Sequence, residues 1–440
     1  MRALFTDNIR RYRPAGCCLC LVLWGALNWA QEHPKEEEYK LALREYTGSY
    51  QVDSRRTFLV SLALRGELAY IDVGSDLSEE LTKIEADEFQ AEDKTTLIRF
   101  VRDQQGVVRS LRFMQKNSPE ASAQRVSNLE LEMAAASRNA EIRGMLIVPP
   151  SANPVAALII EGGSSWRFQE DMLNYARLAA VHGFASFVWD RRGWGSSTGE
   201  RAASFEDLAE DVEAIAATLR RNPKIDPSKI GFWGFSQAGW IGTLAASRSR
   251  NIGFVALFSP ALCLPLRQEE QNISHTLRAD GESAAEIQQA LELFHAKLEY
   301  AMFRSDWPRY DALRQAIAQK SWFRFLDAPQ DRSDPEFQFL RLNAHYNSLN
   351  ALAGVHVPLL ALFGEFDTNV TPDTGMSLLE QGLDLAGNKR LTMHLIPNAN
   401  HSLIGAQSSK PHDFIEPVKY ASGVWNYLWH WLAEVTANQR

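Results

Sequence analysis

Apolar and polar positions follow two different periods along this chain, and the change between them divides it. From about residue 40 to 117, "YTGSYQV", "RTFLVSLAL", "ELAYIDV", "TTLIRFVR" and "VVRSLRFMQ" read as short strands. Turn signals separate them, Arg65-Gly66 in one place and "DQQG" at 103–106 in another. Strands joined by tight turns make an antiparallel meander. The pattern predicts a small antiparallel β domain over 40–117, with "KNSPEASAQ" after it as a linker.

From about residue 125 the pattern lengthens. "SNLELEM", "AEIRGMLIVPP", "VAALIIEGG", "ASFVWDRRG", "KIGFWGF" and "IGFVALFSPA" read as strands, several of them apolar throughout. Between the later ones lie helix-spaced segments, "QEDMLNYARLAAVHGF", "SFEDLAEDVEAIAATLRRNP" and "SQAGWIGTLAASRS". This alternation predicts an α/β domain over 125–436 with a mostly parallel sheet and helices on both faces. It breaks between Leu266 and Leu352, where the patterns are helical and no strand is evident. Sheet signals resume at "VPLLALFGEFD" and "LTMHLIPNANH". The block over 266–352 is therefore a helical insertion, expected to cover one end of the sheet.

The N-terminus differs from both. Arg2, Arg10, Arg11 and Arg13 precede the apolar run "GCCLCLVLWGALNWA", which is shorter than the ~20 residues of a membrane span. Residues 1–30 read as a secretory signal peptide, which implies a periplasmic or secreted protein; an uncleaved membrane anchor is the alternative. Removing the segment would take Cys17, Cys18 and Cys20 with it and leave Cys263 as the remaining cysteine. That excludes an intramolecular disulfide and a cysteine metal site. The 440 residues carry a formal charge of −8, which argues against a nucleic-acid backbone as partner. No HExxH, EF-hand or P-loop pattern occurs, so neither a metal nor another cofactor is expected.

The candidate chemistry centres on "GFWGFSQAGW". An apolar strand stops, a serine follows at once, and a helix begins without a loop. Such a corner is a nucleophile elbow, which lifts Ser236 above the sheet edge, with Gly234, Ala238 and Gly239 small enough to permit the bend. A serine hydroxyl needs a base, and the base an orienting acid. In chain order the acid comes next: Asp367 just past "LLALFGEF", preferred to Glu365, which directly follows Gly364. His401, in the loop after "LTMHLIPNAN", is the base among ten histidines. An oxyanion would be met by the backbone of Gln237 and by Gly163 or Ser164 after "ALIIEGG". Asp190 in "DRRGWGSSTG" reads as a structural acid. Trp166 and the insertion residues Phe294, Tyr300 and Phe303 are expected to line an acyl pocket.

Over about 125–436 the chain resembles a bacterial α/β-hydrolase of the serine esterase/peptidase type. The resemblance rests on "EGGSSW", "FVWDRRGWGSSTGE", "IDPSKIGFWGFSQAGW", "VPLLALFGEFDTNVTP", "AGNKR" and "IPNANHSL". The family motif has glycine where Ala238 stands. The resemblance implies that Ser236, Asp367 and His401 form a triad, that the insertion is a cap, and that the N-terminal β module is a fused, non-catalytic unit. The resulting expectation is a serine hydrolase that cleaves carboxylic esters through a covalent acyl-enzyme, with a small acyl compound as its partner. An aminopeptidase or thioesterase on the same site, or a catalytically idle scaffold, are the alternatives.

Overall fold

A computed structural model describes residues 42–437 except 54–55, 63–66, 74–76, 412 and 416–418. The expected signal segment lies outside the described residues. Among those described, no helix is long and apolar enough to cross a membrane.

Eight antiparallel strands, β1 (Gly48–Gln51) to β8 (Ala121–Arg125), pair in chain order, and β1 also pairs with β8, closing a barrel. Alternation along each strand sends aromatic residues inward. Tyr50, Phe58, Tyr70, Phe89, Phe100 and Phe113 are buried together in the interior, so the described residues of the barrel form a packed core. The β module therefore reaches Arg125 and does not stop at 117. The expected linker contributes β8, whose inward residue is only an alanine, Ala123. Small side chains alternating with polar ones give little hydrophobic signal, which is why the strand was not evident.

The second unit is an eight-stranded sheet in the order β16-β15-β14-β13-β11-β12-β10-β9. Strands β11 (Val155–Glu161), β12 (Ala185–Trp189), β13 (Ile225–Phe235), β14 (Phe254–Phe258), β15 (Leu359–Gly364) and β16 (Leu391–Ile396) run parallel. β9 (Leu129–Ser137) and β10 (Ala140–Val148) add an antiparallel edge. A parallel sheet covered on both sides needs apolar residues at every position, and β11 supplies them: Ala157 and Ile159 enter the core on one face, Leu158 and Ile160 that on the other.

The barrel seats on the helix Gln169–Val181. Leu59 of β2 (Thr57–Leu62) shares a core with Met172 and Ala176, and Arg177 donates to Thr47 Oγ1 at 3.0 Å. Between β14 and β15 the chain leaves the sheet and forms the helices Pro265–Asp280, Ala284–Phe303, Trp307–Ile317, Pro335–Asn343 and Ser348–Leu352. Most of this insertion has an aromatic and aliphatic core of its own.

Candidate active site

Parallel strands present their C-terminal ends on one edge, and ligand sites in such sheets form there. Ser236 follows β13, Asp367 follows β15 and His401 follows β16, so three distant chain positions arrive on the same edge.

The corner at Ser236 is held from both sides. Its backbone is left-handed, φ 51°, a conformation uncommon outside glycine. The Ser236 N–H donates to Phe258 O at 2.9 Å, and its carbonyl accepts from Gly239 and Ala261, each at 2.9 Å. A Cβ on Gly239 would come within 2.7 Å of Ala261 O and Pro260 Cβ, so this position admits glycine alone at this packing. The helix Ala238–Arg248 starts immediately after, with its N-terminal partial positive charge at the serine.

The three side chains meet in one hydrogen-bonded line. His401 Nε2 lies 2.9 Å from Ser236 Oγ, and His401 Nδ1 lies 2.8 Å from Asp367 Oδ2. Asp367 is fully buried at its side chain, and its other oxygen, Oδ1, accepts the N–H groups of Asn369 and Val370, both at 2.8 Å. The carboxylate is thus fixed before the imidazole reaches it. Glu365 faces elsewhere: its Oε2 accepts from Asn398 N at 2.8 Å, a turn contact. His394 stacks on Tyr427 at 3.8 Å between ring centres, away from the serine.

Of the backbone donors expected for an oxyanion, Gln237 directly follows Ser236 and Gly163 approaches it closely. A Cβ on Gly163 would sit 3.3 Å from Ser236 Cβ, which shows how closely the loop after β11 approaches the serine. The N–H groups of Gly163, Ser164 and Gln237 have no acceptor among the described residues. Asp190 ties down the neighbouring loop, accepting from Gln169 N at 2.9 Å and from Ser196 N and Oγ at 2.7 and 2.8 Å.

A network that pattern reading did not find lies beneath these donors. Arg191 donates to Gln237 Oε1 at 2.7 Å and to Glu161 Oε1 at 2.9 Å. All three side chains are buried. Each comes from the C-terminal end of a different strand, and that shared placement was the available signal. Burial pushes the Glu161 carboxyl from its ordinary 4.5 up to about 7, against the opposing pull of the Arg191 guanidinium. Its Oε2 has no hydrogen-bond partner among the described residues. A carboxyl raised on folding keeps its proton while the unfolded chain loses it. Its contribution to stability is therefore full below about pH 4.5 and is lost as the pH rises to about 7. Urea unfolding across that window should show the wild type losing stability relative to Glu161→Gln; parallel curves would contradict the assignment.

Between the corner and the cap lies a cavity of about 630 Å³, counted to its open mouth. Its floor is Ser236 and Gln237, its apolar wall includes Trp240, Phe339 and Leu340, and its roof carries charged side chains. None of the four expected pocket residues lines it. Phe294 and Tyr300 are 3% and 7% exposed and belong to the cap core. Phe303, at the end of its helix, is 74% exposed. Trp166 packs on Phe235 and Tyr175, with ring centres 5.6 and 6.0 Å away. Helical spacing identified an apolar face correctly, but its aromatic residues pack on other cap helices, and from that same buried face it is Lys297 that reaches the cavity. Phe294→Ala should accordingly cost about 3–5 kcal/mol of stability, with the short-to-long acyl ester ratio unchanged, as melting curves and kinetics on paired esters would report.

A model of the alpha/beta hydrolase family matches residues 158–416, more than half of the chain. The chain belongs to the alpha/beta hydrolase family. Curated proteins that the chain is similar to include a polyketide transferase of Penicillium crustosum, 33% identical over 81 residues, which are 18% of this chain and 26% of that one. A probable dipeptidyl-aminopeptidase B of Fusarium vanettenii is 22% identical over 244 residues, 54% and 20% of the two chains. A thiohydrolase of Aspergillus aculeatus is 26% identical over 132 residues, 29% and 41%. The matched segments thus span well under half the length of each relative. All three are fungal, so the bacterial attribution finds no support in them. Among solved structures, a Pyrococcus furiosus esterase superposes with a TM-score of 0.43 at 14% identity, covering 71% of this chain and 90% of its own. Porphyromonas gingivalis dipeptidyl peptidase 4 does so with 0.44 at 16% identity, covering 88% and 49%.

Proposed function

We propose that this alpha/beta hydrolase is a serine hydrolase that cleaves carboxylic esters through a covalent acyl-enzyme. The observation that carries the reading is the unbroken line from Asp367 Oδ2 through the His401 ring to Ser236 Oγ, with links of 2.8 and 2.9 Å. Ser236 Oγ attacks the ester carbonyl carbon, and its proton passes to His401 Nε2. The carbonyl oxygen becomes an oxyanion that takes the Gln237 N–H and an N–H from Gly163 or Ser164. His401 returns the proton to the departing alkoxide as the carbon–oxygen bond breaks. A water molecule then repeats the sequence on the Ser236 ester, releases the acid and restores the hydroxyl. Asp367 holds the Nδ1 proton throughout and stabilises the imidazolium.

A catalytically idle scaffold would have no reason to keep a left-handed serine in hydrogen-bond reach of a paired histidine. Strain of this kind costs about 1–3 kcal/mol and persists where the surrounding structure enforces it. Thioester and amide substrates would use the same atoms, and the thiohydrolase and dipeptidyl-aminopeptidase names among the relatives keep both within the test. Labelling by a fluorophosphonate, mapped to Ser236 by mass spectrometry, together with a panel of esters, thioesters and aminoacyl amides, decides. Absence of labelling on folded protein would refute the serine mechanism, and a preference for thioesters or amides would move the substrate class.

A further inference from the structure

The roof of the cavity above Ser236 is unevenly charged. Lys297, 3% exposed, is its one cationic side chain, and Glu269, Asp327 and Glu336 are its three carboxylates. The ammonium is already engaged. Lys297 Nζ donates to Asp327 O at 3.0 Å, lies 3.3 Å from Asp327 Oδ2, and is 3.8 Å from Glu336 Oε1. Glu269, on the cap helix Pro265–Asp280, is the carboxylate left over. Among the described residues it receives one hydrogen bond, a long one of 3.5 Å from Asn272 Nδ2. Burial pushes its carboxyl above the usual range, with the Lys297 ammonium pulling the other way. That is the direction of a carboxylate lacking a counter-ion of its own.

We propose that the cavity is built for a substrate that carries a protonated amine, with the Glu269 carboxylate as the group that receives it. The proposal rests on the hydrolase reading, because it takes the amine and the scissile carbonyl to belong to one molecule spanning the roof and Ser236. An ammonium group brings the charge that Glu269 lacks and forms a charge-assisted hydrogen bond with it. An alkyl end of the same length takes water away from Glu269 and offers it nothing. An acidic end meets three carboxylates and one ammonium that two of them already share. Nothing in the apolar wall opposes an aliphatic chain between amine and carbonyl.

The test uses 4-methylumbelliferyl esters of ω-aminoalkanoic acids, each beside the alkanoate ester of equal length and the ω-carboxy ester. At the best length the ammonium ester should exceed the neutral one in kcat/KM by about 10- to 100-fold. In Glu269→Gln, with folding checked by its melting curve, that ratio should collapse toward one. Neutral or ω-carboxy esters turned over at least as well as the ammonium esters at every length would overturn the proposal. Calorimetric titration of folded Ser236→Ala with n-hexylammonium and n-hexanol reads the same preference without turnover. Tighter ammonium binding supports the assignment, and equal or weaker binding refutes it. Ammonium binding without hydrolysis of any ester would defeat the hydrolase reading and leave Glu269 as an amine-binding group with no scissile carbonyl attached to its ligand. Hydrolysis without the ammonium preference would do the reverse.

Discussion

Ser236→Ala is expected to lower kcat on a good ester by about 10⁴- to 10⁶-fold while the protein stays folded. The substitution removes the one atom that His401 Nε2 contacts at 2.9 Å and leaves the elbow backbone in place. The bonds that hold the corner run through the Ser236 N–H and carbonyl, which alanine keeps. Loss of turnover with an unchanged melting curve would therefore report chemistry and not collapse. His401→Ala should cost about as much, because members of a relay that act together do not contribute additively. Active-site titration with the fluorophosphonate, followed by steady-state kinetics on the titrated enzyme, measures both. Near-normal turnover by either variant would dismantle the proposed mechanism.

Asp367→Asn should lower kcat by up to ~10⁴-fold with little change in KM. The asparagine carbonyl can still accept the N–H groups of Asn369 and Val370. Its amide NH₂ then points at His401 Nδ1 and turns an acceptor into a donor. The ring must place its proton on Nε2, where it faces the serine and cannot accept the hydroxyl proton. Glu365→Gln keeps an oxygen for Asn398 N and should lose far less. The comparison of the two variants on one substrate checks the choice of acid, and a larger loss at Glu365 would reverse it.

What the sequence revealed, and what it hid, follows from how local each signal is. The corner at Ser236 is legible because strand, serine and helix are adjacent in the chain and every small residue that permits the bend lies within it. Asp367 and His401 are legible because each follows an apolar strand of the same parallel sheet, so topology alone delivers them to one edge. The cavity was not legible. Phe294 and Lys297 lie one helical turn apart on the same buried face, and the hydrophobic period does not say which residue of that face reaches the cavity. Which one does depends on how the cap helices cross, and no local pattern encodes that. The side-chain network of Glu161, Arg191 and Gln237 escaped notice for a related reason, although the Gln237 backbone was expected at the site: the mutual contact exists only once three strands stand side by side. The eighth barrel strand was missed because closure needs just a small inward residue there, and Ala123 supplies it without an apolar run.

The cap does not merely rest on the sheet. From its first helix, Gln268 Nε2 donates to Asn369 O, and Thr276 Oγ1 meets Thr368 Oγ1 at 3.2 Å. Asn369 is the residue whose N–H grips Asp367 Oδ1. Under the proposed mechanism, the residues that would set selectivity and those that would set rate are joined through this loop. A cap transplanted from a relative, or repacked to admit a new compound, would pull on the loop that aims the histidine. On the proposed mechanism, a redesigned cap that keeps the Gln268 anchor would leave that loop in place.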